Sequence, residues 1–218
     1  MGWRHLRDLG WVVNRKRVQR LWREEGLRVA QRPRKRARVG TSTVPADRLR
    51  AQGLDHVWAL DFQHDETADG RPLRLLHIVD EYSREALMIV VERHLTADDT
   101  VKALEAVVAD RGRAPVYIRC DNGPELTAHA LRDWCRFSGV ETSYIEPGAP
   151  WENPFVESFC GTIRFELLSV ELFGSLLEAK VMIEDWRIQY NTMRWHSSLG
   201  GMAPAAYAQL LRTEKQPA

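Results

Sequence analysis

The chain has 218 residues, 44% of them hydrophobic and 28% charged, with a formal net charge of +1. That composition suits one sizeable globular domain with a smaller appendage. The longest purely apolar run is residues 86–91, far short of the roughly 20 residues a membrane-spanning helix needs, and the N-terminus has no apolar signal core, so an intracellular protein without a membrane partner is predicted. The first 40 residues hold 13 Lys/Arg against 3 Asp/Glu, and the remaining 178 hold 18 against 27. A basic head on an acidic body implies a polyanionic partner for the head. Residues 3–9 read as a short helix broken by Gly10. Asn14 is a fitting N-cap for a second helix, whose Val18, Leu21 and Trp22 follow i, i+3, i+4 spacing and which Gly26 ends. The outer face of that helix carries Arg15, Lys16, Arg17, Arg20 and Arg23, suited to phosphates or a major groove. The run containing Arg34, Lys35 and Arg36 has a proline and almost no apolar residue, and reads as an extended basic linker. The boundaries expected are 1–30 for a partial helix-turn-helix-like segment, 31–54 for the linker, 55–170 for a core and 171–218 for a C-terminal helix and tail.

From residue 57 the pattern changes. Residues 57–62, 74–79 and 86–91 are short apolar runs with turn chemistry between them, which predicts three strands, antiparallel if joined as a meander. A helix with Val101, Leu104, Val107 and Val108 on one face follows and ends at Gly112. Residues 116–120 are a fourth strand, a helix through Leu131, Trp134 and Cys135 closes near Gly139, and residues 140–145 are a fifth strand. After the Pro/Gly loop 147–151, two longer helices span about 154–168 and 176–191. The order βββαβαβαα predicts an α/β fold, a five-stranded mixed sheet flanked by helices. Cys120, Cys135 and Cys160 are odd in number with no C-x-x-C pair, so they support neither a disulfide framework nor a zinc site.

Three carboxylates stand at informative places. Asp61 is near the end of the first strand, and Asp121 directly follows the fourth, ahead of an Asn-Gly-Pro turn signal. Glu157 is in the first turn of a helix that Asn153 caps and Pro154 opens. At about 100° per residue, Glu157, Gly161 and Arg164 share one helix face. Phe155, Phe159, Ile163 and Leu167 lie broadly opposite, with Val156 toward them, so the apolar stripe should dock on the sheet while Glu157 looks outward. Gly161 leaves room beside the carboxylate, and Arg164 is placed to hold a phosphate. Taken singly, an outward Glu or Arg on a helix is usually just solvated; the case rests on the set. If Asp61 and Asp121 lie on adjacent strands, the three acids can converge, and such a cluster needs cations. Oxygen-only ligands suit hard ions such as Mg2+ or Mn2+, and two such ions would serve an in-line displacement at phosphorus. Asp80, Asp65 and Glu152 are rival acids, with Asp80 read as structural. His64 reads as a surface residue, and Trp58, Trp134 and Trp186 as core.

The runs Trp58-Ala59-Leu60-Asp61-Phe62, Ile118-Arg119-Cys120-Asp121-Asn122-Gly123-Pro124-Glu125 and Asn153-Pro154-Phe155-Val156-Glu157-Ser158-Phe159 resemble the integrase-type DDE transposases of bacterial insertion sequences. The 35 residues between Asp121 and Glu157 equal that family's signature interval, and Arg164 falls seven after Glu157, where the family has a basic residue. Residues 78–85, the Tyr190-Asn191 pair with Arg194, the 196–200 segment and the basic stretch 13–27 add to the likeness, which covers nearly the whole chain. The resemblance implies an RNase H-like fold and a cytoplasmic, nucleoid-associated enzyme. It implies metal-dependent cleavage at element ends and transfer of the freed 3′-hydroxyls into new DNA. Asp61, Asp121 and Glu157 would hold two Mg2+ or Mn2+ ions, and Arg164 would contact DNA near the reacting phosphate. The implied partners are double-stranded DNA, further copies of the chain in a synaptic complex, and the product of an upstream first reading frame. Cys160 and Trp195 depart from the Asn and Pro usual at those places, and Met1 falls inside the family's N-terminal region, which implies truncation or an internal start. Two rival functions keep the same residues: a non-catalytic DNA-binding remnant acting as a transposition repressor, and an RNase H-type nuclease.

Overall fold

The computed structural model describes Trp3, Leu6, Arg7 and residues 9–27, 50–120, 129–144 and 154–214. The chain forms two compact units, residues 1–47 and 48–218. In the first, Trp3, Leu6 and Arg7 are helical and Gly10 turns the chain at φ 84°. Helix α1 (Arg15–Glu24) starts where the sequence predicts: the Asn14 side chain accepts a hydrogen bond from the Lys16 N–H at 2.8 Å. Gly26 sits at φ 66° just past its end. Val18 is buried, whereas Leu21 and Trp22 remain 42% and 39% exposed. Arg15, Lys16, Arg17 and Arg20 line the exposed face. Arg34, Lys35 and Arg36 lie outside the described residues.

The second unit is built on a five-stranded sheet of order β3-β2-β1-β4-β5. Its elements are β1 (Val57–Glu66), β2 (Pro72–Asp80), β3 (Ala86–Glu92), α2 (Ala97–Arg111), β4 (Tyr117–Cys120), α3 (His129–Ser138), β5 (Glu141–Tyr144), α4 (Pro154–Ile163), α5 (Leu176–Met193) and α6 (Pro204–Glu214). The first three strands are an antiparallel meander, and β4 and β5 join parallel to β1. The sheet is therefore mixed, with helices on both faces. Strand β1 runs four residues past the apolar run: Gln63 to Glu66 are polar but pair with Leu75 to Pro72 of β2. A π-helical turn, Arg164–Leu168, continues α4. Helix α6 occupies a stretch expected to be tail.

Because side chains alternate across a strand, β1 feeds two cores. Trp58 and Leu60 pack with Leu76, Ile78, Ile118 and Leu131 under α2 and α3. Ala59 packs with Leu73, Leu75 and Val79 against Val156, Phe159 and Ile163 of α4 and Ile183 of α5. Of the three tryptophans expected in the core, Trp58 and Trp134 are buried on the first face, whereas Trp186 is partly buried against the second, so they are not one cluster. Helix α2 opens with a reciprocal capping box between Thr96 and Asp99 and closes at Gly112, φ 72°.

Buried ion pairs tie the sheet's lower end together. Asp55, 4% exposed, accepts from Arg111 Nε at 2.9 Å, Arg113 Nε at 2.7 Å and Trp58 Nε1 at 3.2 Å. Arg111 also reaches Glu85 at 2.9 Å, and Arg119 of β4 reaches Glu81 at 2.7 Å. Asp80 is structural, as read from sequence. Its carboxylate accepts from the N–H groups of Asp55, Tyr82 and Ser83 and from the Ser83 hydroxyl, holding the β2–β3 turn.

Candidate active site

Asp61 lies on β1 with the parity of Ala59, so it faces α4 and not the α2–α3 core. It is half-buried and directly opposite His77 of β2, and as the fifth of the ten residues of β1 it stands mid-strand rather than near the strand's end as expected, because the pairing with β2 carries the strand on to Glu66. Helix α4 docks through Val156, Phe159 and Ile163, all buried, which leaves Glu157 exposed, as the helical wheel requires. Cys160, one turn on from Glu157, faces Asp61. Its thiol donates to Asp61 Oδ2 at 3.5 Å. Burial pushes the thiol well above the ordinary range, the Asp61 carboxylate raises it further, Glu157 adds to the rise and Arg164 opposes it. The exposed Arg164 donates to the His64 carbonyl at 2.6 Å, fixing the end of α4 beside β1.

Asp121 lies outside the described residues, as do Asn153 and Glu152. It is one peptide bond beyond Cys120, the last residue of β4. The β1–β4 register runs to Ala59 opposite Arg119, two residues short of Asp61 on one strand and two short of Asp121 on the other. Among the described residues no three His, Cys, Asp or Glu side chains form a group able to hold a metal ion. The two described acids nevertheless have the right chemistry for a hard cation: they are carboxylates on two separate elements, β1 and α4, that pack against each other.

Sequence reasoning missed Gln63 and His77. Gln63 is 7% exposed and on the Asp61 face of β1; its Nε2 donates to the Cys160 carbonyl at 3.1 Å and its Oε1 meets His77 Nε2 at 2.9 Å. The fully buried His77 ring stands edge-on to Phe159 at 5.3 Å. A polar residue two positions past Asp61, hence on the same face, was the available signal.

An HTH-like domain model matches residues 2–36, and integrase core domain models match residues 52–150 and 138–204. The 31.7 kDa protein of insertion element IS407 from Burkholderia multivorans is 37% identical over 95% of this chain and 75% of its own length. The chain belongs to the integrase-core transposases of bacterial insertion elements. The 39.2 kDa protein of insertion element IS476 from Xanthomonas euvesicatoria is also 37% identical, over 98% of this chain, which spans 62% of that relative. The transposase InsD of insertion element IS2 from Escherichia coli is 27% identical over 90% of the chain. In fold the transposase resembles the simian T-cell lymphotropic virus intasome, with a TM-score of 0.64 at 18% identity, covering 78% of this chain and 59% of that one. It also resembles the HTLV-2 integrase catalytic core domain in complex with magnesium, with a TM-score of 0.58 at 20% identity, covering 73% of this chain and 99% of that one. Among the described residues of this transposase, no helix is long and apolar enough to cross a membrane.

Proposed function

We propose that this chain is a DDE-type transposase that cleaves insertion-element ends and joins them to target DNA, with Asp61, Asp121 and Glu157 as its catalytic and metal-holding residues. The observation that supports the reading is that the thiol of Cys160, one helical turn from Glu157 on α4, reaches the Asp61 carboxylate of β1. Asp121, the next residue in the chain after β4, would complete the set. Two Mg2+ or Mn2+ ions held there would supply an activated nucleophile and a stabilised leaving oxygen at phosphorus. The chain's own groups do the rest. The docked apolar face of α4 holds Glu157 outward toward substrate. Arg164, at the end of that helix, offers guanidinium donors to a phosphate. The exposed Arg15, Lys16, Arg17 and Arg20 of α1, with Arg34, Lys35 and Arg36, contact the DNA backbone. Double-stranded DNA, further copies of the chain and an upstream-frame product are the partners this reading calls for, and the bacterial cytoplasm is its place.

The test is strand transfer of pre-cleaved end DNA into a plasmid, with and without divalent metal and with the upstream-frame product supplied. Asp61→Asn, Asp121→Asn and Glu157→Gln should each abolish joining while DNA binding persists. Joining that survives Asp121→Asn, or proceeds with metal chelated, refutes the catalytic assignment. Cleavage of RNA–DNA hybrids without joining would favour a nuclease instead.

A further inference from the structure

We infer that Gln63 is a positioning residue that sets where Glu157 stands relative to Asp61, by clamping α4 to β1 and β2 through a single buried amide. The inference rests on the catalytic reading above.

Three features carry it. The first is parity: Ala59, Asp61 and Gln63 share one face of β1, so the amide lies under α4 beside the acid. The second is reach. Its Nε2 donates to the Cys160 carbonyl, on the residue whose thiol touches Asp61 and one turn from Glu157, while its Oε1 takes the His77 Nε2–H. With Oε1 as acceptor, His77 is the Nε2–H tautomer, and the imidazole opposite Asp61 is locked in place. The third is the alternative anchoring. Arg164 ties the far end of α4 to the His64 carbonyl, but from an exposed position. The apolar stripe fixes how deep α4 sits, whereas apolar contact is non-directional. A hydrogen bond to one chosen carbonyl fixes the slide along the strand, and with it the gap between the two carboxylates. Such a partner behind a metal ligand is worth about 10- to 100-fold in metal affinity or activity when removed.

The experiment uses the full chain in four forms: wild type, Asp61→Asn, Gln63→Leu and the double variant Gln63→Leu/His77→Leu. Three quantities are read: melting temperature, the Mn2+ concentration giving half of the metal-induced thermal shift, and kcat for strand transfer. Gln63→Leu strands the His77 N–H and should lose stability. The double variant replaces both partners by apolar groups, so it should regain stability. Both should keep DNA affinity, require about 10-fold or more Mn2+ and lose about 10- to 100-fold in kcat. If the double variant shows wild-type Mn2+ midpoint and kcat, Gln63 is merely a core residue and the inference is wrong. Should wild type itself show no Mn2+ shift, or Asp61→Asn keep it, the catalytic reading fails and takes this inference with it. Because the double variant restores the melting temperature, loss of folding in Gln63→Leu alone leaves the outcome decidable.

Discussion

Asp55 offers a sharp test of how the catalytic strand is held, since two substitutions there separate charge from backbone. Its carboxylate is 3% exposed and pairs with Arg111, itself 7% exposed, at 2.8 Å. At that distance the attraction is about 6 kcal/mol for an effective dielectric near 20. Asparagine forfeits it but also relieves the burial of a charge, and Glu85, 2.9 Å away, continues to hold Arg111. The net loss should therefore fall below the roughly 3–5 kcal/mol typical of a buried pair broken outright, at about 2–3 kcal/mol. Arg113 is half-exposed, so its pairing adds at most about 0.5 kcal/mol. For a unit of this size, residues 48–218, about 2–4 °C per kcal/mol gives a drop of about 4–12 °C in Tm for Asp55→Asn. Asp55 also sits at φ 58°, a left-handed conformation that Asn tolerates and Ala does not. Asp55→Ala should thus lose about 1 kcal/mol more. The assay is thermal melting of the full chain by circular dichroism at about 0.05 and 0.5 M salt, because a buried pair is little screened. A Tm within about 2 °C of wild type for Asp55→Asn, a drop that salt erases, or equal drops for the two variants would refute the reasoning.

Three further outcomes are expected. Burial, helped by Arg194 and Arg84, lowers the His196 pKa to about 4, so the fold resists protonating it. Stability should be full above the unfolded value near 6.5 and fall as pH drops toward 4, by at most about 3 kcal/mol, and urea titrations of His196→Gln should show a flatter pH profile. Removing Arg15, Lys16, Arg17 or Arg20 should weaken DNA binding across sequences and reduce the slope of log affinity against log salt by about 1 each, read by fluorescence anisotropy; unchanged slopes would exclude α1 from the phosphates. Arg164→Ala gives up an exposed hydrogen bond to the His64 carbonyl, so it should cost about 1 kcal/mol or less in stability yet depress strand transfer, and lysine should not rescue it because the planar donor fork is gone.

Local pattern made the frame legible. Apolar runs marked the first three strands, and the spacing of Phe159, Ile163 and Leu167 told which way Glu157 points, although Phe155, expected in the same stripe, is only partly buried and lies under the Arg84 guanidinium. Asn14 and Gly112 bounded their helices because capping and left-handed φ are local chemistry. The missed features are those decided by neighbours distant in sequence. Gln63 to Glu66 read as polar loop because nothing local reveals that β2 pairs with them. Trp58, Trp134 and Trp186 looked alike in the sequence, but sheet faces assign them to different cores. Asp55 collects arginines 56 and 58 residues away. The Gln63 bond to Cys160 spans 97 positions, so Asp61 and Glu157 could be named from motif and spacing while the strut between them could not.

The disposition of charge sharpens the distinction between acids that build the fold and acids that work. Asp55, Glu81 and Glu85 are buried and each is matched by arginine: Arg111 and Arg113, Arg119, and Arg111 again. That matching is what burial demands, since an uncompensated interior carboxylate costs several kcal/mol. Glu157 differs. It is exposed, no basic side chain among the described residues pairs with it, and the helix that carries it docks through its opposite, apolar face. The body, with 27 acids against 18 bases, matches buried acids with arginine three times at the sheet's lower end, and among the described residues it does not do so at Glu157. Leaving that negative charge in place on a helix docked against β1 makes physical sense when a mobile cation supplies the balance, and a cation there also removes the repulsion a DNA phosphate would otherwise meet from an acidic surface.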